Sequence, residues 1–166
     1  MELDDLEDLF DDLDFISPQP SYLAKMLDIY NQDFNQEEFT VFGKSIKVVN
    51  KPSWEPEFKG YPETFVHLIT RESNYKDKKP RQFDKWRANR IHWVKVILSN
   101  TDSNRIKCFE EIDNKGYKKM YFWFKENDFV VILKSISLEL LVITGFYVEK
   151  SKRKDLDEKL QNYKSS

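Results

Sequence analysis

The feature that most constrains this chain is its last third, where four apolar stretches follow one another with almost nothing between them. They are IKCFEEI (Ile106–Ile112), YKKMYFWF (Tyr117–Phe124), FVVILKSI (Phe129–Ile136) and LELLVITGFYV (Leu138–Val148). Aromatic and β-branched residues dominate them, which suits strands. The connections are Asp113-Asn114-Lys115-Gly116, Lys125-Glu126-Asn127-Asp128 and Ser137 alone. A parallel pair needs a crossover of about a dozen residues or more, so these links permit only an antiparallel meander.

The upstream chain supplies cover for that sheet. Leu23, Met26, Leu27 and Tyr30 recur at helical spacing, so Tyr22 to Asp33 reads as a short amphipathic helix with Ser21 as N-cap. Phe39 to Val49 alternates around Gly43-Lys44 and reads as a hairpin. Lys51 to Pro62 is a proline-rich loop that Trp54 and Phe58 would pin to the body. FVHLIT, from Phe65 to Thr70, reads as a strand with Phe65, His67 and Ile69 on one face. Phe83 to Leu98 reads as one helix, with Asp84 near its start and Arg87, Arg90, Val94 and Ile97 on one stripe. Lys150 to Tyr163, with Leu156 and Leu160 at i, i+4, reads either as a charged terminal surface helix or as an RNA-touching basic tail through Lys150, Lys152, Arg153 and Lys154. The expected fold is α+β: a helix packed on a four- to five-stranded antiparallel sheet, with a small N-terminal helix and hairpin and an acidic N-terminal arm. The expected divisions are 1–20 for the arm, 21–62 for the helix, hairpin and loop, 63–154 for the core and 155–166 for a charged tail.

Charge is distributed unevenly. Met1 to Asp14 holds eight acids and no base, although the whole chain is only −2. The other 21 acids face 27 bases, leaving the body at +6. Arg71 to Lys95 alone has nine bases against three acids, again +6. The arm spaces Leu3, Leu6, Leu9, Phe10 and Leu13 as an amphipathic helix would, but its carboxylates repel one another. A solvated arm and a mask over a basic groove are the two readings. One cysteine, Cys108, rules out an intrachain disulfide. No apolar run approaches the ~20 residues of a membrane span, and the acidic N-terminus is unlike a signal peptide. The expected setting is cytoplasmic, away from membranes.

The chain has no phosphate-cradling glycine loop, no nucleophile elbow and no metal-ligand spacing, so neither cofactor nor metal is expected. Acid–base chemistry on a phosphodiester remains. RNA brings its own nucleophile, the 2′-OH, and asks for a base, cations and a proton donor. His67 titrates near working pH, and arginines pair with phosphate through two N–H groups. Arg71, Arg81, Lys85 and Lys150 are the expected phosphate contacts. Thr144 and Tyr147 can orient or donate. His92, beside Trp93, reads as packing.

The order FVHLITRES, DKWRANRIHWVKVIL, KKMYFWF, DFVVILK and LLVITGFYV, spanning Phe65 to Lys154, resembles a family of phage- and mobile-element-encoded proteins in the barnase–EndoU–colicin–RelE-like ribonuclease superfamily. The resemblance implies a helix against a four-stranded antiparallel sheet and metal-independent RNA cleavage. It implies catalytic roles for His67, Arg87, Arg90, Thr144 and Tyr147. The expected function is an endoribonuclease-like toxin, defence or phage effector, with RNA and an inhibitor or immunity protein as partners. The alternative is a non-catalytic nucleic-acid- or protein-binding phage or antidefence module, in one form of which the acidic arm mimics nucleic acid. For Thr144 and Tyr147 to act together, the last strand must bulge at or next to Gly145; otherwise Gly145 makes room for an aromatic such as Trp123.

Overall fold

In the computed structural model, residues 1–73 and 80–165 are described. The meander forms as its short turns require: β5 (Ile106–Ile112), β6 (Lys118–Phe124), β7 (Phe129–Ile136) and β8 (Glu139–Tyr147) pair antiparallel in sequence order. The sheet does not stop there. A hairpin of β1 (Thr40–Val41) and β2 (Lys44–Lys47) turns at Phe42-Gly43, both with positive φ. Strand β2 then pairs parallel with β8, Ser45 to Lys47 against Glu139 to Leu141. The sheet is therefore six-stranded and mixed, in the order β1-β2-β8-β7-β6-β5, rather than four- or five-stranded and antiparallel. The parallel pair is allowed because the long chain between β2 and β8 contains helices and the meander.

Met120 to Phe124 on β6 and Phe129 to Leu133 on β7 are all buried, so both faces of the sheet are covered. One face, with Phe122, Phe124, Phe129, Val131 and Leu133, carries α1 (Pro20–Asn31), α2 (Glu63–Ile69) and α4 (Trp93–Leu98). The other, with Phe109, Trp123 and Val130, receives Leu156 and Leu160 of α5 (Lys150–Ser165). The terminal helix thus forms, anchored by its two apolar residues together with ion pairs from Arg153 to Asp128, Asp157 to Lys125 and Lys159 to Glu111.

Of FVHLIT, Phe65 to Ile69 is helical rather than a strand, and only Thr70 enters one. Phe65, Val66, Leu68 and Ile69 are all buried within α2, so the element is apolar on nearly every side. A short apolar run of this kind has no periodicity to separate strand from buried helix. The helix expected over Phe83–Leu98 is broken into α3 (Lys85–Ala88) and α4 by a turn at 89–92. The chain tightens there, Arg90 and Ile91 bonding back to Arg87 and Ala88, and the acidic arm occupies the break. In a continuous helix the Asn89 carbonyl would accept from Trp93; here it accepts from Leu9 N–H at 3.0 Å, and Trp93 N–H bonds to Arg90 instead. The Asn89 amide also holds Phe10, accepting from its N–H and donating to its carbonyl. Ser21 is not the cap of α1: the helix starts one residue earlier at Pro20, with Gln19 before it. A π-helical turn, Gln32–Gln36, extends its end.

The arm forms a single 3₁₀ turn, Leu3–Asp5, and otherwise follows the body. Leu3 and Leu13 are buried, and Phe10 stacks on Tyr22 with ring centroids 4.0 Å apart. Trp93 Nε1 donates to the Glu7 carbonyl, and Asp4 pairs with Arg105. The arm is part of the core, not a solvated tail.

Strand β8 does bulge, but at Ile143: Ile132 pairs with Thr144 while Leu133 pairs with Val142. From Thr144 onward pairing is regular, so Thr144 and Phe146 share one face and Gly145 and Tyr147 the other. A Cβ on Gly145 would lie 3.2 Å from Phe129 Cε1 and from Val94 Cγ2; the aromatic it accommodates is Phe129, not Trp123.

Two substitutions check this packing. Gly145→Ala is expected to lower stability by about 1–3 kcal/mol through overpacking. Leu13→Ala is expected to cost about 2–5 kcal/mol if the arm is core. Urea denaturation reads both, and an unchanged midpoint for Leu13→Ala would return the arm to solvent.

Candidate active site

The candidate site is built at the C-terminal end of α2. Thr70, fully buried, ends the helix and donates its hydroxyl to the Val66 carbonyl at 2.6 Å. The chain then makes a two-stranded ribbon, β3 (Thr70–Arg71) with β4 (Gln82–Phe83), which brings α3 back beside the end of α2. Asp84 starts α3, its carboxylate accepting from the N–H groups of Trp86 and Arg87.

Two arginines from this return converge on one carbonyl. Arg87 Nη1 donates to the Thr70 oxygen at 2.9 Å and Arg81 Nη2 donates to it at 3.1 Å. Arg81 Nε also donates to Thr70 Oγ1 at 2.8 Å. Arg87 Nη1 reaches Thr144 Oγ1 at 3.1 Å, and its guanidinium lies 5.1 Å from the Phe146 ring. Strand β2 covers β8 only as far as Leu141, which leaves the edge near Thr144 open to Arg87. Asp84 lies 3.5 Å from Arg87 Nε, and Glu72 lies 3.8 Å from Arg81 Nη1. Burial pushes the Arg87 guanidinium down to about 10, against the pull of Asp84, so it stays charged at neutral pH. Its Nε is buried without a hydrogen-bond partner among the described residues.

His67 lies three residues before Thr70 on α2 and is half-buried. Burial, then the charge of Arg81, holds its imidazole below the usual value; Glu63, Glu55 and Glu72 pull it back up. The ring is therefore neutral at pH 7 and can accept a proton. Arg90 and Tyr147 form a separate pair: the Arg90 guanidinium lies 5.5 Å from the Tyr147 ring and 4.7 Å from Trp93, and its Nε bonds Asp8 at 3.0 Å. Arg71 is exposed on the ribbon and lines a cleft with Arg81, and Lys85 stands at the start of α3. Lys150, exposed at the start of α5, is joined to none of these by a hydrogen bond or ion pair among the described residues. Lys76, Lys78 and Lys79, part of the basic excess, lie outside the described residues.

The structure thus joins Arg81, Arg87 and Thr144 at Thr70, with His67 on α2 within range of the Arg81 charge, and sets Arg90 with Tyr147 beside Asp8 of the acidic arm. Thr70 and Asp8 escaped sequence reasoning. A buried threonine after an apolar run carries no sequence signal, and Asp8 is one of eight similar acids. No group of three His, Cys, Asp or Glu among the described residues is arranged to hold a metal ion. Comparison with protein-family models, curated proteins and solved structures finds no match for the chain.

The histidines make a pH prediction. His92, buried at the break between α3 and α4, is also lowered by burial, with the Glu7 backbone and Asp8 opposing. Below about 6.5 the unfolded chain takes up protons that the folded rings resist, so their contribution to stability is full above that pH and is lost as pH falls. Asp33, raised by burial to about 6, acts in the opposite sense between its ordinary 3.8 and that value. His67→Gln is expected to flatten the loss of stability between about pH 7 and 5 relative to the unaltered chain. Urea midpoints across that range measure it, and parallel curves would mean His67 is not held low.

Proposed function

We propose that the protein is a metal-independent endoribonuclease that cleaves RNA by attack of the 2′-OH on the adjacent phosphorus. The observation carrying this reading is the convergence of Arg81 and Arg87 on the Thr70 carbonyl, with His67 on the helix that Thr70 ends and its imidazole held low by burial and the Arg81 charge. In this reading His67 takes the proton from the 2′-OH, and the bond from that oxygen to phosphorus forms. The cations Arg81 and Arg87 stabilise the charge that builds on the phosphoryl oxygens. The bond to the 5′-oxygen then breaks, that oxygen takes a proton from water, His67 gives its proton back to the hydroxide so formed, and a 2′,3′-cyclic phosphate remains. Thr144, bonded to Arg87, fixes the guanidinium on the far side. Arg90 and Tyr147 are proposed as a flanking contact, available when Asp8 yields. The resemblance over Phe65 to Lys154 supports the same reading, and the α+β architecture with a covered antiparallel meander is compatible with it.

A second reading, a binding module without cleavage, is favoured by one fact: Arg87 and Arg81 already spend donors on Thr70. Purified protein incubated with total RNA in EDTA separates the two. Cleavage with 2′,3′-cyclic ends is expected, falling about 100-fold or more in His67→Ala. Its rate should rise with pH along a limb centred below 6.5, because only the neutral ring accepts a proton. Binding without cleavage would select the module. Affinity should also fall with salt by about 0.7 log unit per log unit for each phosphate contacted on a single strand.

A further inference from the structure

A cleft of about 530 Å³ opens beside the candidate site, between the end of the acidic arm and the β3–β4 ribbon. Arg71, Arg81 and Phe83 line it from the ribbon, and Phe15 and Ile16 line it from the arm. Phe15 is 63% exposed, and Trp86, which stands outside the cleft across Lys85 from it, is 46% exposed. Between them stands Lys85, its amine 6.0 Å from the Phe15 ring centroid and 5.4 Å from that of Trp86. Two large rings thus stand open to solvent within reach of one lysine. Here they alternate with cations instead of forming an apolar patch.

The charges say what kind of partner fits. Arg81 is paired with Glu72 and Arg87 with Asp84, but among the described residues no ion pair takes Arg71 or Lys85. Glu57 also lines the cleft, and Asp14 acts on Lys85 at longer range, so the surface is not uniformly basic. Open rings beside cations match a strand whose flat bases alternate with phosphates. Arg81 belongs both to this cleft and to the group around Thr70, so a strand lying here runs into the candidate site.

We infer that Phe15, Trp86 and Lys85, with Arg71, form a stacking subsite for single-stranded RNA: bases lie on the two rings, and Lys85 and Arg71 hold the intervening phosphates. This rests on the reading of RNA as the substrate and adds where the strand is gripped. It gives the end of the acidic arm a positive role, since the arm delivers Phe15 to the cleft. A double-stranded RNA is excluded from the subsite, because its bases are already stacked on one another.

The test uses the full-length chain carrying His67→Ala, with a fluorescent ten-nucleotide uridine RNA and a strand of equal length and charge lacking bases. Fluorescence anisotropy at fixed salt reads both. Phe15→Ala with Trp86→Ala is expected to weaken binding of the uridine strand about tenfold or more, with no change for the baseless strand. Phe15→Tyr with Trp86→Phe, which keeps a ring at each position, is expected to bind within about twofold of the parent. Equal affinity for the two strands, no loss in the double alanine variant, or no binding at all would overturn the subsite. Cleavage by the chain with His67 intact is scored separately. Cleavage with no dependence on the rings leaves the ribonuclease and removes the subsite; base-dependent binding without cleavage does the reverse.

Discussion

Burial of the central strands on both faces is the constraint from which the other elements follow. Met120 to Phe124 and Phe129 to Leu133 have apolar side chains pointing both ways, so a cover on one side only would leave Trp123 and Val130, or Phe122 and Val131, in water. Burying each large apolar side chain contributes about 1.5–3 kcal/mol. This accounts for α5, a strongly charged helix that stays on the sheet through Leu156 and Leu160. It also accounts for the crowd on the opposite face, where α1, α2, α4 and the N-terminal arm share one core.

The polar consequence of that crowding is the group at Thr70. Helix α2 is almost wholly buried, so its C-terminal end has little access to water, and the Thr70 carbonyl needs donors. Arg81 and Arg87 supply them from a ribbon and a short helix that follow directly in the chain. Two guanidiniums are thereby drawn into a partly buried place, with Glu72 and Asp84 near them to limit the repulsion. A cluster of this kind is both a structural tie and a concentration of positive charge beside a histidine. The chemical reading of the site depends on the second property, and the packing explains why the first exists.

The acidic arm changes meaning once its contacts are known. Eight like charges over fourteen residues oppose a helix, and none longer than a single turn forms. The leucines and Phe10 still find the core, and the carboxylates stay at its margin, where Asp8 and Asp4 meet Arg90 and Arg105. The arm also seats on the break in the expected helix, Leu9 N–H donating to the Asn89 carbonyl that a continuous helix would offer to Trp93. A partner 80 residues away therefore meets a local backbone conformation that propensity alone assigns otherwise.

The sequence by itself determined the meander, the hairpin, the first and last helices and the α+β class, because each rests on local patterns: strand composition, very short connections and helical spacing of apolar residues. It also singled out the basic stretch from Arg71 to Lys95, with Arg87 in it, and His67 and Thr144 outside it. Only the tertiary structure decided that Phe65 to Ile69 is helical, since a short run buried on nearly all sides carries no period. It likewise decided that β2 joins β8 in parallel, that the bulge falls at Ile143, and that Arg90 pairs with Asp8 while Arg87 bonds Thr70 and Thr144. These are contacts between residues far apart in the chain, and no local pattern encodes which distant partner will satisfy a buried carbonyl or a buried charge.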